Sequence, residues 1–290
     1  MIALDDPFVI RRILVALDAS THSLAALEAA VELAERVEAE IEGLFVEDIN
    51  LMRLAQLPIA QQLSLPSGLR RRLDAAVIEQ EMRAFAAEAR QALEVAAERT
   101  NVQWSFRVVR GQVEVEMRAA AVEADLVVLD LASRPLTQYA RLVSAAESAA
   151  RLAPRSVLLL RGRPGPVEAV IVAYDGSEGA EKALAAAAQV AAGLARAGAA
   201  RGAANLTVLA LGPTQAAAGR VEKKARARLK EEGLEAEVRQ LVKAGPAQLC
   251  EAVHLAGGGL LVLDAGAKLL ERAAAETFLD ETGCPMLLVR

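Results

Sequence analysis

The chain has 290 residues, of which 54% are hydrophobic, 3% aromatic and 24% charged, with a formal net charge of -5. The length gives a prior of roughly two domains, and the apolar share suffices for a large core. The acidic balance gives no electrostatic footprint for nucleic acid. No segment of about 18 uncharged apolar residues marks a membrane span. Two cysteines, Cys250 and Cys284, and two histidines, His22 and His254, lack the spacing of a zinc site and are expected in the core or on helix ends.

Residues Met1 to Ile10 show neither the charged nor the long apolar region of a secretory leader, so a cytoplasmic protein is expected. Residues 13–17 form an apolar run that predicts a buried strand, and Asp18, Ala19 and Ser20 supply the turn after it. An alanine-rich amphipathic helix is predicted from Ser23 to Glu38, then a strand over 41–46. The segment 47–73 carries Pro58, Pro66 and Gly68 among Leu and Ile. It is too apolar for a free linker and reads as a folded flap or partner surface. Its Arg70, Arg71 and Arg72 read as a solvated face.

A long helix is predicted over 74–99 and a strand over 102–109. Alternating Val102, Trp104, Phe106 and Val108 suggest one wetter face or an edge position. Gly111 opens a turn into a helix over 113–124. A strand over 126–129 follows, ending at Asp130, then a helix over 133–152 and a strand over 157–160. The stretch from Gly162 to Pro166 reads as a stiff boundary.

The second part repeats this order. Residues 169–174 match 12–17, and Asp175, Gly176 and Ser177 match Asp18, Ala19 and Ser20. Strands are predicted over 206–211, 236–242, 260–263 and 286–289, with Gly245 in the place of Gly111 and Asp264 in that of Asp130. Alternating strands and helices, duplicated, predict an α/β architecture.

In their order, occurring twice, these features resemble the universal stress protein family. They are the runs ending in Asp18 and in Asp175-Gly176-Ser177, the glycines 111 and 245, residues 124–128, and the junctions at 153–158 and 283–287. The chain looks like a tandem member, with domains over 8–162 (insert 47–73) and 167–290. The resemblance implies, in each domain, a five-stranded parallel sheet in order 3-2-1-4-5 with helices on both faces. It also implies ligands at the carboxyl ends of strands one and four.

In ATP-binding members the acid after strand one and the residue ending strand two hold adenine. Those positions are Asp18 and Val46, then Asp175 and Leu211. The phosphates lie in a glycine-rich loop after strand four, and there the sequence departs from the family pattern. Between Asp130 and Ser144 none of the three glycines is present, and only Ser144 matches. After Asp264 only Gly266 remains. Side chains in such a loop block close approach of phosphate to backbone N–H groups.

The expectation is therefore a non-catalytic stress-response protein that binds no cofactor and acts through protein contacts. The alternative is an adenine-nucleotide module taking ATP or AMP. Each pair of acids, Asp18 with Asp130 and Asp175 with Asp264, could hold Mg²⁺ or share a proton, but the expectation is that each acid caps the helix after it. The resemblance implies pairing of domains through strand five, so self-association is expected: 156–160 against 286–289 inside the chain, then a homodimer through the apolar segment 47–73, with no nucleic acid or membrane as partner.

Overall fold

The computed structural model describes residues 10–18, 21–57, 61–63, 70–72, 74–130, 156–160, 167–196, 206–267 and 281–290. The first half contains β1 (Arg12–Ala16), α1 (Thr21–Val37), β2 (Glu40–Asp48), α2 (Ile49–Ala55), β3 (Gln61–Leu63), β4 (Arg70–Arg72), α3 (Ala75–Thr100), β5 (Trp104–Gly111), α4 (Val113–Ala121), β6 (Leu126–Asp130) and β7 (Ser156–Leu160). The second contains β8 (Val170–Tyr174), α5 (Glu178–Arg196), β9 (Leu206–Gly212), α6 (Gln215–Glu231), β10 (Glu237–Val242), α7 (Pro246–Leu255), β11 (Leu260–Asp264) and β12 (Met286–Val289).

Ten strands form one sheet in the order β10-β9-β8-β11-β12-β7-β6-β1-β2-β5. Each half has the order 3-2-1-4-5 and is parallel throughout. Among the described residues the one antiparallel pair of this sheet, β12 with β7, joins the halves, with Leu287 opposite Leu158. This is the intrachain pairing that the family resemblance implies. The central strands β7, β8 and β12 are buried at every residue, as continuous apolar runs require. The outermost β5 and β10 alternate, as edge strands with one wet face do.

Helices cover both faces. On one face α3, α1, α5 and α6 share a continuous core that includes Leu93, Leu27, Leu184 and Leu229. On the other, α4 packs over the first half through Met117 and Ala121, and α7 over the second through Leu249 and Val253. The halves also meet through α1 and α5. A Cβ on Gly193 would lie 2.7 Å from the backbone oxygen of Arg36, so these helices touch backbone to backbone there. The Arg36 guanidinium donates to the Val167 carbonyl at 3.2 Å.

Within the segment 47–73 the described residues are 47–57, 61–63 and 70–72, and they form regular elements. Asp48 caps α2 by accepting from the Asn50 N–H at 2.8 Å, and Ala55 of α2 packs with Ile78 and Met82 of α3. β3 and β4 pair antiparallel, with Gln62 opposite Arg71. Several expected boundaries shift. β2 runs two residues past Val46, to Asp48, and β9 one past Leu211, to Gly212. α4 stops at Ala121 rather than at 124. The predicted helix over 133–152 and the boundary over 162–166 lie outside the described residues.

Candidate functional site

The carboxyl ends of β8 and β11 lie side by side in the middle of the second half. After β8 the chain turns sharply. The Asp175 carboxylate accepts from the Ser177 N–H at 2.9 Å, and Gly176 between them has φ +81°. Ser177 then starts α5: its hydroxyl accepts from the Ala180 N–H at 3.2 Å and its carbonyl from the Glu181 N–H at 3.0 Å. The helix cap is thus Ser177, and Asp175 caps the turn before it. This corrects the capping role expected of Asp175, because the bend at Gly176 leaves the acid two residues before the cap.

Asp264 closes the crevice from the other side. Its carboxylate accepts from the Gly266 N–H at 3.1 Å and lies against the first turn of α5. A Cβ on Gly179 would be 2.4 Å from its carboxylate atoms. Only a residue without a side chain lets the acid settle there. A third group ties the turn to α6. The Lys224 ammonium donates to the Gly176 carbonyl at 2.8 Å and pairs with Glu181 at 2.7 Å. Glu181 also accepts from the hydroxyl of Tyr174, which is fully buried at the end of β8. Burial, and then the bond to Glu181, push the Tyr174 hydroxyl well above the usual phenol range.

In the first half, β1 and β6 are neighbours in the same way. The Leu17 N–H donates to the Leu44 carbonyl at 2.9 Å, and the Asp18 N–H to the Ser23 hydroxyl at 3.4 Å. Asp130 is the last residue of β6, so its backbone stands at the expected strand end. Ser144 lies outside the described residues. Val46 and Leu211 are partly buried against the cores on the α4 and α7 face.

Gly111 and Gly245 are not equivalent. Gly111 is the last residue of β5, under the Glu116 side chain, whereas Gly245 is the cap of α7 and donates its N–H to Gln248 at 2.9 Å.

Among the described residues no group of three or more His, Cys, Asp or Glu could hold a metal ion, and no helix is long and apolar enough to cross a membrane. Cys250 and Cys284 are both buried. Burial, and then a hydrogen bond with Glu281, push the Cys250 thiol up to about 12, far from the range of a reactive thiolate. Lys224, Glu181 and Gly179 escaped sequence reasoning. The Lys224 bond to Gly176 spans 48 positions, and no spacing rule announces it.

A sequence model of the universal stress protein family matches residues 10–161. Among solved structures, a universal stress protein from Archaeoglobus fulgidus has a TM-score of 0.72 at 16% identity, covering 98% of this chain and 97% of that one. A Pseudomonas aeruginosa protein named for the same family has a TM-score of 0.58 at 17% identity, covering 98% and 95%. At these identities the likeness is one of fold, and it spans both halves. A search of the curated proteins finds no match.

Proposed function

Because the chain belongs to the universal stress protein family, a stress-response family, we propose that it is a non-catalytic, cytoplasmic stress-response protein of the non-ATP-binding type. It acts through the pairing of two domains, 8–162 and 167–290, and through protein contacts. One observation carries this reading: the Asp264 carboxylate lies against Gly179 at the start of α5. In open α/β sheets ligands sit outside the carboxyl ends of the strands, at the point where strand order reverses. Here that point lies between β8 and β11, and the Asp264 carboxylate at the end of β11 lies against Gly179 beside it.

A phosphate about 4 Å from that carboxylate is opposed by about 1 kcal/mol in water and about 4 kcal/mol at an effective dielectric near 20. The loss of glycines after Asp130 acts in the same direction in the first half. Titration calorimetry with ATP and Mg²⁺ tests the reading. The expected outcome is no heat of binding up to millimolar nucleotide. Submicromolar affinity overturns it.

A second reading, an adenine-nucleotide regulatory module, draws on the exposed Asp175 and on Leu211 near the carboxyl end of β9, beside β8. AMP needs less phosphate room than ATP. On this reading AMP binds and Asp175→Ala abolishes the binding; unchanged affinity rejects the assignment.

A further inference from the structure

In the first half α1 packs against α3, and an open groove of about 370 Å³ runs between them. Leu24 and Glu28 line it from α1, and Glu35 continues their row two turns on. Glu88, Ala92, Val95 and Arg99 line it from α3, also as one helical row. Leu27 and Ala96, which complete its apolar lining, are buried, whereas Val95 is 52% exposed.

The second half treats the same line differently. The repeat that matches Asp18 with Asp175 matches Leu24 of α1 with Glu181 of α5. The buried Ala86, Leu93 and Ala97 of α3 match the buried Ala218, Ala225 and Leu229 of α6, which sets Ala92 against Lys224 and Val95 against Ala227. Lys224 and Glu181 join α6 to α5 by an ion pair at 2.7 Å. In the first half Leu24 and Ala92 hold those two places, and neither can make that bond. The open groove is therefore a property of these residues and not a requirement of the fold.

Its charge is acidic. Glu28, Glu35 and Glu88 stand along the two rows against Arg99, which sits in the last turn of α3, where a cation suits the helix dipole. Glu35 and Glu88 are exposed and have no ion pair among the described residues. Arg90 is also exposed, but it projects from the side of α3 opposite this row.

We propose that this groove is the docking site for a cationic amphipathic helix of a partner protein. Its apolar row lies on Leu24, Ala92 and Val95, and lysines or arginines on its flanks face Glu35 and Glu88. The proposal rests on the reading above that the chain acts through protein contacts. A helix fits where an extended segment does not. The backbone groups of α1 and α3 are already bonded within those helices, so the groove offers none to an incoming strand, whereas a helix satisfies its own. From Glu88 to Arg99 the row spans eleven residues, roughly 16 Å or three turns. The occupant therefore places apolar residues at i, i+3 or i+4, and i+7.

Fluorescence anisotropy tests this with a labelled peptide of alanine and lysine that carries leucine at every third or fourth position. The full chain should bind it at micromolar concentration, and the same peptide with glutamate for lysine should not bind. Val95→Asp separates docking from plain charge attraction. It adds a carboxylate at an exposed helical position, so attraction alone would tighten binding, whereas docking predicts at least a tenfold loss. Leu24→Glu with Ala92→Lys builds the second half's ion pair into the first, leaves the net charge unchanged and should abolish binding. Circular dichroism should be unchanged in both variants. A parent that fails to bind the cationic peptide overturns the proposal, and so does either variant that binds as tightly as the parent. A parent whose own mass in sedimentation velocity falls on Val95→Asp holds a second copy in the groove, which equally overturns it. Peptide binding that persists beside submicromolar ATP binding supports the groove and overturns only the non-ATP-binding reading.

Discussion

At the amino ends of the strands, the first half holds β1 beside β6 with a carboxylate. Asp125 accepts from the N–H groups of Arg11 and Arg12 at 2.9 and 3.1 Å. The second half holds β8 beside β11 with bare backbone. Gly257, Gly258 and Gly259 all have positive φ, and the next residue, Leu260, donates to the Ala169 carbonyl at 2.9 Å. The carboxyl ends differ as well. Leu17 occupies the position after β1, while its counterpart Tyr174 enters a polar network with Glu181 and Lys224. One fold therefore accepts two chemistries at each end. What the halves share is the apolar interior of the strands, and what separates them lies at the turns.

The sharpest way to break this comparison is Gly259→Ala. Its Cβ would lie 2.3 Å from the Ala169 oxygen, a backbone atom, at a φ of +125°. Strain at such a φ and overpacking each cost about 1–3 kcal/mol. A loss of about 3 kcal/mol in urea denaturation is expected, and a loss under about 0.5 kcal/mol would show that the junction yields easily. Asp125→Ala tests the other half. It leaves two backbone donors without their acceptor, and Arg12 is partly buried. About 1–2 kcal/mol should be lost.

The strands themselves were legible in the sequence because they rest on periodicity and repetition, and the strand order and the pairing of the halves followed from the family resemblance that the repeats carry. Residues 157–160 and 286–289 are apolar at every position, and only burial on both faces suits that. The edge position of β5 was legible from the alternation around Trp104 and Phe106. The turn chemistry was not. Asp175 and Ser177 are both good caps by residue type, and only the φ of Gly176 decides between them. The contact of Asp264 with Gly179 joins residues 85 positions apart through the absence of a side chain. His22 holds the equivalent place on α1, so the repeat itself conceals the difference.

Tyr174→Phe sharpens the comparison at the carboxyl end. At neutral pH, loss of the bond to Glu181 should cost about 1 kcal/mol. The pH dependence carries more information. The folded state raises the Tyr174 hydroxyl above its unfolded value, through burial first and Glu181 second. An unfolded phenol ionises near about pH 10. The stabilisation is therefore intact below about pH 10 and is lost as pH rises beyond it. The Cys250 thiol, also raised, acts in the same direction and is present in both proteins. The variant should lose less stability between pH 8 and 11 than the parent. Parallel profiles would show that the hydroxyl does not titrate differently on unfolding.

Lys224→Met has the smallest expected effect and isolates the tie across the turn. Its ion pair with Glu181 joins side chains 53% and 28% exposed, so solvent screens much of the attraction. The Gly176 carbonyl can take water in place of the ammonium. Global stability should fall by about 0.5 kcal/mol. Local opening should change more, because the tie holds α6 to the turn that caps α5. Native-state hydrogen exchange at Ser177 and Ala180 should quicken several-fold, while the amides of β7 and β12 keep their rates. Lys230→Met, on the same helix but without an ion pair among the described residues, serves as the control and should leave both turn amides unchanged. If the two variants exchange alike, the turn is held by Asp175 and Ser177 alone, and the two halves differ less than their residues suggest.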